Sequence, residues 1–316
     1  MSTLTETILF VFGLVAAGYL AGLTGYLRSE TGDAVAEFAV NIALPLLLFR
    51  TMIGADFHGA APWALWVSYF SAVLVVWTTA HLVTTRVFGR DAKAGVVGGV
   101  TAAFSNLVLL GIPFMLGVFG QEGFEILSLL VSVHLPIMIA ASIMMFEWAG
   151  RGEGGGKSLA DLGRIFLRRL FTNPLIIGIL AGLAFRASGL VLPALPLRLI
   201  DALANVAGPV ALFAMGLGLR KFGISGNVRA GIMLAALKLV LMPAIVLCMA
   251  WLLGLPPLTA KVAVAAAALP AGVNSYLIAT QFGTGQALAS NAMTIGTAAA
   301  VVTTALWLAI GQAVFG

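Results

Sequence analysis

Charge is what this chain has least of. Asp, Glu, Lys and Arg make up 9% of its 316 residues, against about 25% in soluble domains. Hydrophobic residues make up 61%, and the mean hydropathy is +1.07. That balance excludes a soluble domain and points to an all-α polytopic membrane protein whose main partner is the lipid bilayer. The single cysteine, Cys248, lies in an apolar run and implies neither a disulfide nor a metal site. His58, His81 and His134 are too dispersed for a metal motif, with no H-x-x-x-H pair among them. No Ser/His/Asp arrangement is legible, and no Asp or Glu falls in the middle of an apolar stretch, which argues against a carboxylate proton relay. The run Arg151-Gly152-Glu153-Gly154-Gly155-Gly156-Lys157-Ser158 ends like a phosphate-binding loop. Arg151 stands where that motif needs its first glycine, and no strand precedes it, so no nucleotide or other cofactor is expected. The net charge of +5 is scattered over short loops and does not form a nucleic-acid surface.

Apolar stretches are abundant. Segments of about 20 residues, enough to span a hydrocarbon core of roughly 30 Å, fall near 6–26, 34–53, 64–86, 97–119 and 125–148. Five more fall near 171–187, 197–219, 230–253, 260–281 and 288–313, which predicts ten transmembrane helices. The first has no small-residue cleavage site and is expected to be retained. With the N-terminus outside, twelve of the 17 Lys and Arg residues collect on the cytoplasmic side and four on the other. The positive-inside rule then puts both termini outside. Asn227 falls in one of the short cytoplasmic loops.

The chain repeats itself at a spacing of 164 residues. Asn41-Ile42-Ala43-Leu44-Pro45-Leu46-Leu47-Leu48-Phe49 matches Asn205-Val206-Ala207-Gly208-Pro209-Val210-Ala211-Leu212-Phe213, and the same offset pairs Gly25 with Gly189. An offset one shorter pairs Phe119-Gly120 with Phe282-Gly283. A unit of five helices is odd, so its second copy enters the membrane from the opposite side. The expected organisation is two inverted five-helix repeats, residues 1–150 and 170–316, joined by a cytoplasmic linker over 151–169. Gly18 with Gly22, and Gly178 with Gly182, have the spacing that lets helix backbones approach closely.

Two spans are interrupted. The ninth contains Leu269-Pro270-Ala271-Gly272-Val273-Asn274-Ser275, where proline removes a backbone donor, glycine adds freedom and two polar side chains follow. The fourth contains Phe104-Ser105-Asn106-Leu107-Val108-Leu109-Leu110-Gly111-Ile112-Pro113. Broken helices at membrane depth are tolerated where protein or a cavity surrounds them, and one per half points to the binding site of a secondary transporter. Candidate substrate contacts are therefore Asn106, Pro113, Pro270, Asn274 and Ser275. Asn41 and Asn205, just before the kinking prolines, are either ligand contacts or partners of freed carbonyls. His134 either faces the cavity or is a satisfied structural histidine. Lys238 either snorkels its ammonium to the cytoplasmic face or holds a functional charge inside the membrane.

These residues resemble the auxin efflux carrier family, which holds plant PIN-type auxin carriers and bacterial carriers of malonate, malate and related acids. The resemblance covers nearly the whole chain and is carried by Asn41–Phe49, Ser105–Pro113, Phe146-Glu147-Trp148 and Leu269–Ser275. It implies a sodium/proton-antiporter-like fold in which helices 1, 2, 6 and 7 form a scaffold and homodimer surface. Helices 3–5 and 8–10 would move as a transport domain. Asn106 matches the family's crossover asparagine, and Pro270 with Asn274 its second break. The short linker marks the compact bacterial form. The function expected is alternating-access carriage of a small organic anion across the cell inner membrane, with a sodium-coupled symporter of bile-acid-carrier type as the rival. An intramembrane enzyme is a further rival with no nucleophile–base pair to support it.

Overall fold

The chain is described here from a computed structural model covering residues 3–55, 62–150 and 159–316. His58 and the glycine-rich part of the linker lie outside the described residues. Everything described is helix, turn or loop, with one isolated bridge between Ser105 and Ala271. Contacts divide the chain into two compact units, 1–58, 108–132 and 167–221 in the first and 59–107, 133–166 and 222–316 in the second. Each unit draws on both halves of the chain.

The first unit contains α1 (Thr3–Leu23), α2 (Ser29–Phe38), α3 (Leu44–Gly54) and the start of α6 (Ile112–Ala149), with α8 (Pro174–Ala187), α9 (Ala194–Asn205) and α10 (Ala207–Phe222). Its packing depends on missing side chains. A Cβ at Gly178 would sit 2.5 Å from the Pro45 carbonyl oxygen, and one at Gly182 would sit 2.7 Å from that of Phe49. Helices α3 and α8 therefore touch backbone to backbone. Gly18 on α1 meets the Phe213 backbone on α10, and Gly216 meets Val15 in return. The small-residue faces of α1 and α8 are thus occupied within the chain.

The second unit contains α4 (Pro62–Leu82), α5 (Ala92–Ala103), the rest of α6, α11 (Val228–Ala236), α12 (Met242–Leu252), α13 (Pro257–Ala268), α14 (Val273–Gln281) and α15 (Gln286–Phe315). Helix α4 packs on α5 and α12, and α15 packs on α11 and α13. Asn227, read as a loop residue, caps α11: its Oδ1 accepts from the Ala230 N–H at 3.3 Å.

Prolines set three of the four π-helical turns among the described residues. The wide π-helical turns Ala39–Ala43, Leu107–Gly111 and Leu237–Leu241 each end two residues before a proline: Pro45, Pro113 and Pro243. A proline cannot donate to the carbonyl four residues back and its ring presses on it, so the preceding turn opens. Glycines set the bends. Gly120, inside α6, has φ 64° and ψ −156°, a region open essentially only to glycine. Its counterpart Gly283 has φ 68°, and the pair Gly25 and Gly189 has φ 74° and 67°. Residues the repeat sets together share a left-handed backbone.

Seven helical stretches among the described residues are long and apolar enough to cross a membrane, against the ten spans expected. The 43 residues of Leu107–Ala149 hold most of one expected span and all of the next, divided at Gly120. The sixth expected span appears as the 14-residue α8, and the ninth as α13 and α14 on either side of the Pro270 break. The linker's end is also helical: α7 (Leu159–Phe171) exposes Arg164 and Arg168 and stops before Asn173, whose side chain caps α8.

Candidate functional site

Two helices of the second unit stop short at the same place. Helix α5 ends where Phe104 adopts φ −89° and ψ 91°. Helix α13 ends at Leu269, with φ −65° and ψ 147°, the extended form that a following proline favours. Between these ends the two segments pass antiparallel. The Asn106 N–H donates to the Pro270 carbonyl at 2.9 Å, and the Gly272 N–H to the Phe104 carbonyl at 3.0 Å. Backbone groups that the breaks would orphan satisfy one another, as a buried non-helical segment requires. Gly272 has φ −82°, and a Cβ there would lie 3.4 Å from the Asn106 Cα, an ordinary contact. The freedom expected of this glycine goes unused.

The carbonyls at the end of α13 find side chains. Lys238, 1% exposed, donates its Nζ to the Ala267 carbonyl. Thr304 Oγ1 reaches the Ala268 carbonyl at 3.4 Å. Trp307 Nε1 donates at 2.8 Å to Leu239, in the π-helical turn that carries Lys238. Lys238 therefore does not snorkel. Its Nζ sits at the carbonyl end of α13, on the residue three before Pro270.

On the other side of the crossing, Tyr69 of α4 is buried, its hydroxyl 2.7 Å from Ser105 Oγ. The Tyr69 ring lies 5.4 Å from that of His134, and the Phe104 ring lies 5.0 Å from it, both edge to face. His134 is fully buried, and neither ring nitrogen has a hydrogen-bond partner among the described residues. Its ring is packed among the aromatic rings of Tyr69, Phe70 and Phe104.

The remaining candidates divide between the units. Asn106 is buried beside Pro270, and Asn274 is exposed in the first turn of α14. Ser275 is buried and gives its hydroxyl to the Gly272 carbonyl at 2.7 Å, so its one donor holds the turn. In the first unit Asn41 is exposed on its π-helical turn, whereas Pro113 and Asn205 line a cavity together with Arg50. Arg50 Nη1 donates to Asn205 Oδ1 at 2.8 Å and pairs with Asp201 Oδ1 at 3.2 Å. Sequence reading missed Arg50, Asp201, Tyr69 and Ser105 as site residues. Only Ser105, inside the fourth-span break, carried a signal.

Apolar helices of membrane-crossing length, and a crossing where two broken helices satisfy each other's backbone, define a membrane transporter. The chain matches the family described as membrane transport protein over residues 3–308 and belongs to it, the auxin efflux carrier family. A transporter of Methanothermobacter thermautotrophicus without an assigned substrate is 26% identical over 96% of this chain and 97% of its own length. A protein of Rhizobium meliloti, provisionally named a malonate transporter, is 28% identical over 96% and 94%. Auxin efflux carrier component 8 of Arabidopsis thaliana is 26% identical over 87% and 88%.

Proposed function

We propose that this protein carries small organic anions, mono- or dicarboxylates such as malonate or malate or auxin-like acids, by alternating access. The observation that carries the reading is the antiparallel pairing of the two helix breaks, Asn106 N–H to the Pro270 carbonyl and Gly272 N–H to the Phe104 carbonyl. The half-helix α14 begins at this crossing with no side chain capping it, so the positive end of its dipole is available to an anion. Asn106 and Asn274 supply amide donors to the carboxylate, and Ser275 holds the turn that presents them. Lys238 holds the end of α13 beside the crossing through the Ala267 carbonyl.

The shared left-handed glycines support two five-helix repeats, 1–150 and 170–316, inverted across a cytoplasmic linker. Ten spans, with both termini outside the cell inner membrane, follow from that repeat and from the distribution of Lys and Arg. The names of the relatives support a malonate-like or auxin-like cargo. The division into a scaffold of helices 1, 2, 6 and 7, through which the chain dimerises, and a moving domain of helices 3–5 and 8–10 belongs to the same reading.

The test is uptake of labelled mono- and dicarboxylates into proteoliposomes, with Na⁺, pH and voltage varied separately. Saturable uptake of at least one acid is expected. Na⁺-dependence would favour the sodium-coupled form, and no uptake of any acid would overturn the reading.

A further inference from the structure

The first unit holds a cavity of about 300 Å³ walled by apolar side chains, among them Phe10, Leu47, Leu116 and Leu212, with Arg50 and Asn205 as polar groups. That volume is at the lower end for small-molecule sites, and a mostly apolar wall with few convergent polar groups is their usual make-up. Asp201 is not part of the lining. It meets Arg50 Nη1 at 3.2 Å, with the Arg50 side chain 30% and the Asp201 side chain 39% exposed. A guanidinium has five N–H donors in a rigid fork, and the contacts to Asp201 and Asn205 both use Nη1.

We propose that this cavity is a binding site for a small organic monoanion with an apolar body, and that Asp201 sets its charge preference. The carboxylate takes guanidinium donors of Arg50 that Asp201 and Asn205 leave over. The apolar body replaces water along the leucine and phenylalanine wall. Asp201 holds Arg50 toward the cavity and repels an incoming anion in proportion to its charge, so a second carboxylate is penalised twice and meets no second cation among the described lining residues. The inference rests on the transport reading for the class of cargo alone.

The experiment uses the purified full-length protein and three probes that share one apolar body: cyclohexanecarboxylate, cyclohexane-1,1-dicarboxylate and the neutral cyclohexanecarboxamide, measured by calorimetry. The monoanion should bind more tightly than the dianion and the amide. Arg50→Gln should weaken the monoanion by roughly tenfold to more than a hundredfold, the size of a lost bond to a charged group. Arg50→Lys keeps the charge without the fork and should fall in between. Asp201→Asn should favour the dianion relative to the monoanion by about two- to fivefold, the scale of a partly exposed ion pair. Arg198→Gln, exposed on the same helix, should change nothing. Unchanged monoanion affinity in Arg50→Gln, or a dianion bound as tightly as the monoanion by the unmodified protein, overturns the proposal. If Arg50→Gln leaves binding intact while Asn106→Ala abolishes uptake, the cavity proposal falls alone. If the monoanion binds through Arg50 but no acid enters proteoliposomes, the transport reading falls alone.

Discussion

The backbone N–H of Asn106 lies 2.9 Å from the carbonyl oxygen of Pro270, although the two residues belong to opposite halves of the chain. Each break supplies what the other lacks. The fourth-span segment donates to the carbonyl of Pro270, which itself has no N–H, and the ninth-span segment returns a bond from the Gly272 N–H to the Phe104 carbonyl. The pairing fixes the two breaks together before any substrate arrives.

That geometry assigns glycines opposite sensitivities. Gly178→Ala would force a methyl to 2.5 Å from the Pro45 carbonyl, a backbone atom that cannot swing away, and overpacking of this kind costs about 1–3 kcal/mol. Gly272→Ala, at an ordinary φ with ordinary contacts, should be tolerated. Gly13→Ala, in a helix with open space around it, should be neutral or stabilising by up to about 1 kcal/mol. Thermal unfolding in mild detergent should rank Gly178→Ala well below the other two.

Lys238 has a structural role that can be separated from any charge effect on substrate. Its removal leaves the Ala267 carbonyl buried without its donor, a loss of about 1–3 kcal/mol. Lys238→Met should therefore lower the unfolding temperature, whereas Lys238→Gln, which can still donate, should recover part of it. If both variants melt like the unmodified protein, the bond to Ala267 contributes nothing.

His134 should behave in the opposite way. A buried polar group without a partner contributes desolvation cost and no bond, so replacing it with an apolar ring is nearly neutral or stabilising. His134→Phe, packed against Tyr69 and Phe104, should melt no lower than the unmodified protein. A drop of several degrees would mean that a ring nitrogen is paired after all.

How much of this was legible in the sequence depends on the physical origin of each feature. Proline disturbs its own helix whatever surrounds it, so Pro45, Pro113 and Pro270 announced the irregular turns. The 164-residue repeat exposed the paired glycines, yet only the backbone shows that Gly120 rather than a proline divides the long apolar stretch after Leu107. Arg50 and Asp201 stand 151 residues apart, and nothing local links an arginine near one helix end to an aspartate in another. The aromatic surround of His134 was invisible for the same reason: Tyr69 reaches it through packing. Asn227 lies in a loop as read, but its capping of α11 shows only once the helix start is located.

Topology can be tested without knowledge of the substrate. By the positive-inside rule, twelve Lys and Arg against four would put the linker in the cytoplasm. In a Cys248→Ala background, cysteines placed at Gly154 or Ser158, outside the described residues, should react with an impermeant reagent only after the cells are opened. Labelling in sealed cells would invert the arrangement and with it the assignment of both termini.

The crossing itself makes the most discriminating prediction. Asn106 is buried at the first break and Asn274 lies exposed in the first turn beyond the second. Each amide offers two N–H donors, and a carboxylate that gives up water at the crossing needs fixed donors in exchange. Losing one donor to a charged group costs roughly 1.5–3 kcal/mol, which is about ten- to more than hundredfold in affinity. Asn106→Ala and Asn274→Ala should each remain folded and inserted in the membrane yet lose affinity for the transported acid by that factor. The backbone bonds between the breaks do not involve these side chains, so the crossing should survive both substitutions. The proper control is Asn227→Asp, which keeps an acceptor for the Ala230 N–H, because Asn227→Ala would also remove a helix cap at a cost of about 0.5–2 kcal/mol. If both crossing variants are well folded and bind the acid as tightly as the unmodified protein, these amides do not contact the cargo and the paired breaks serve another purpose.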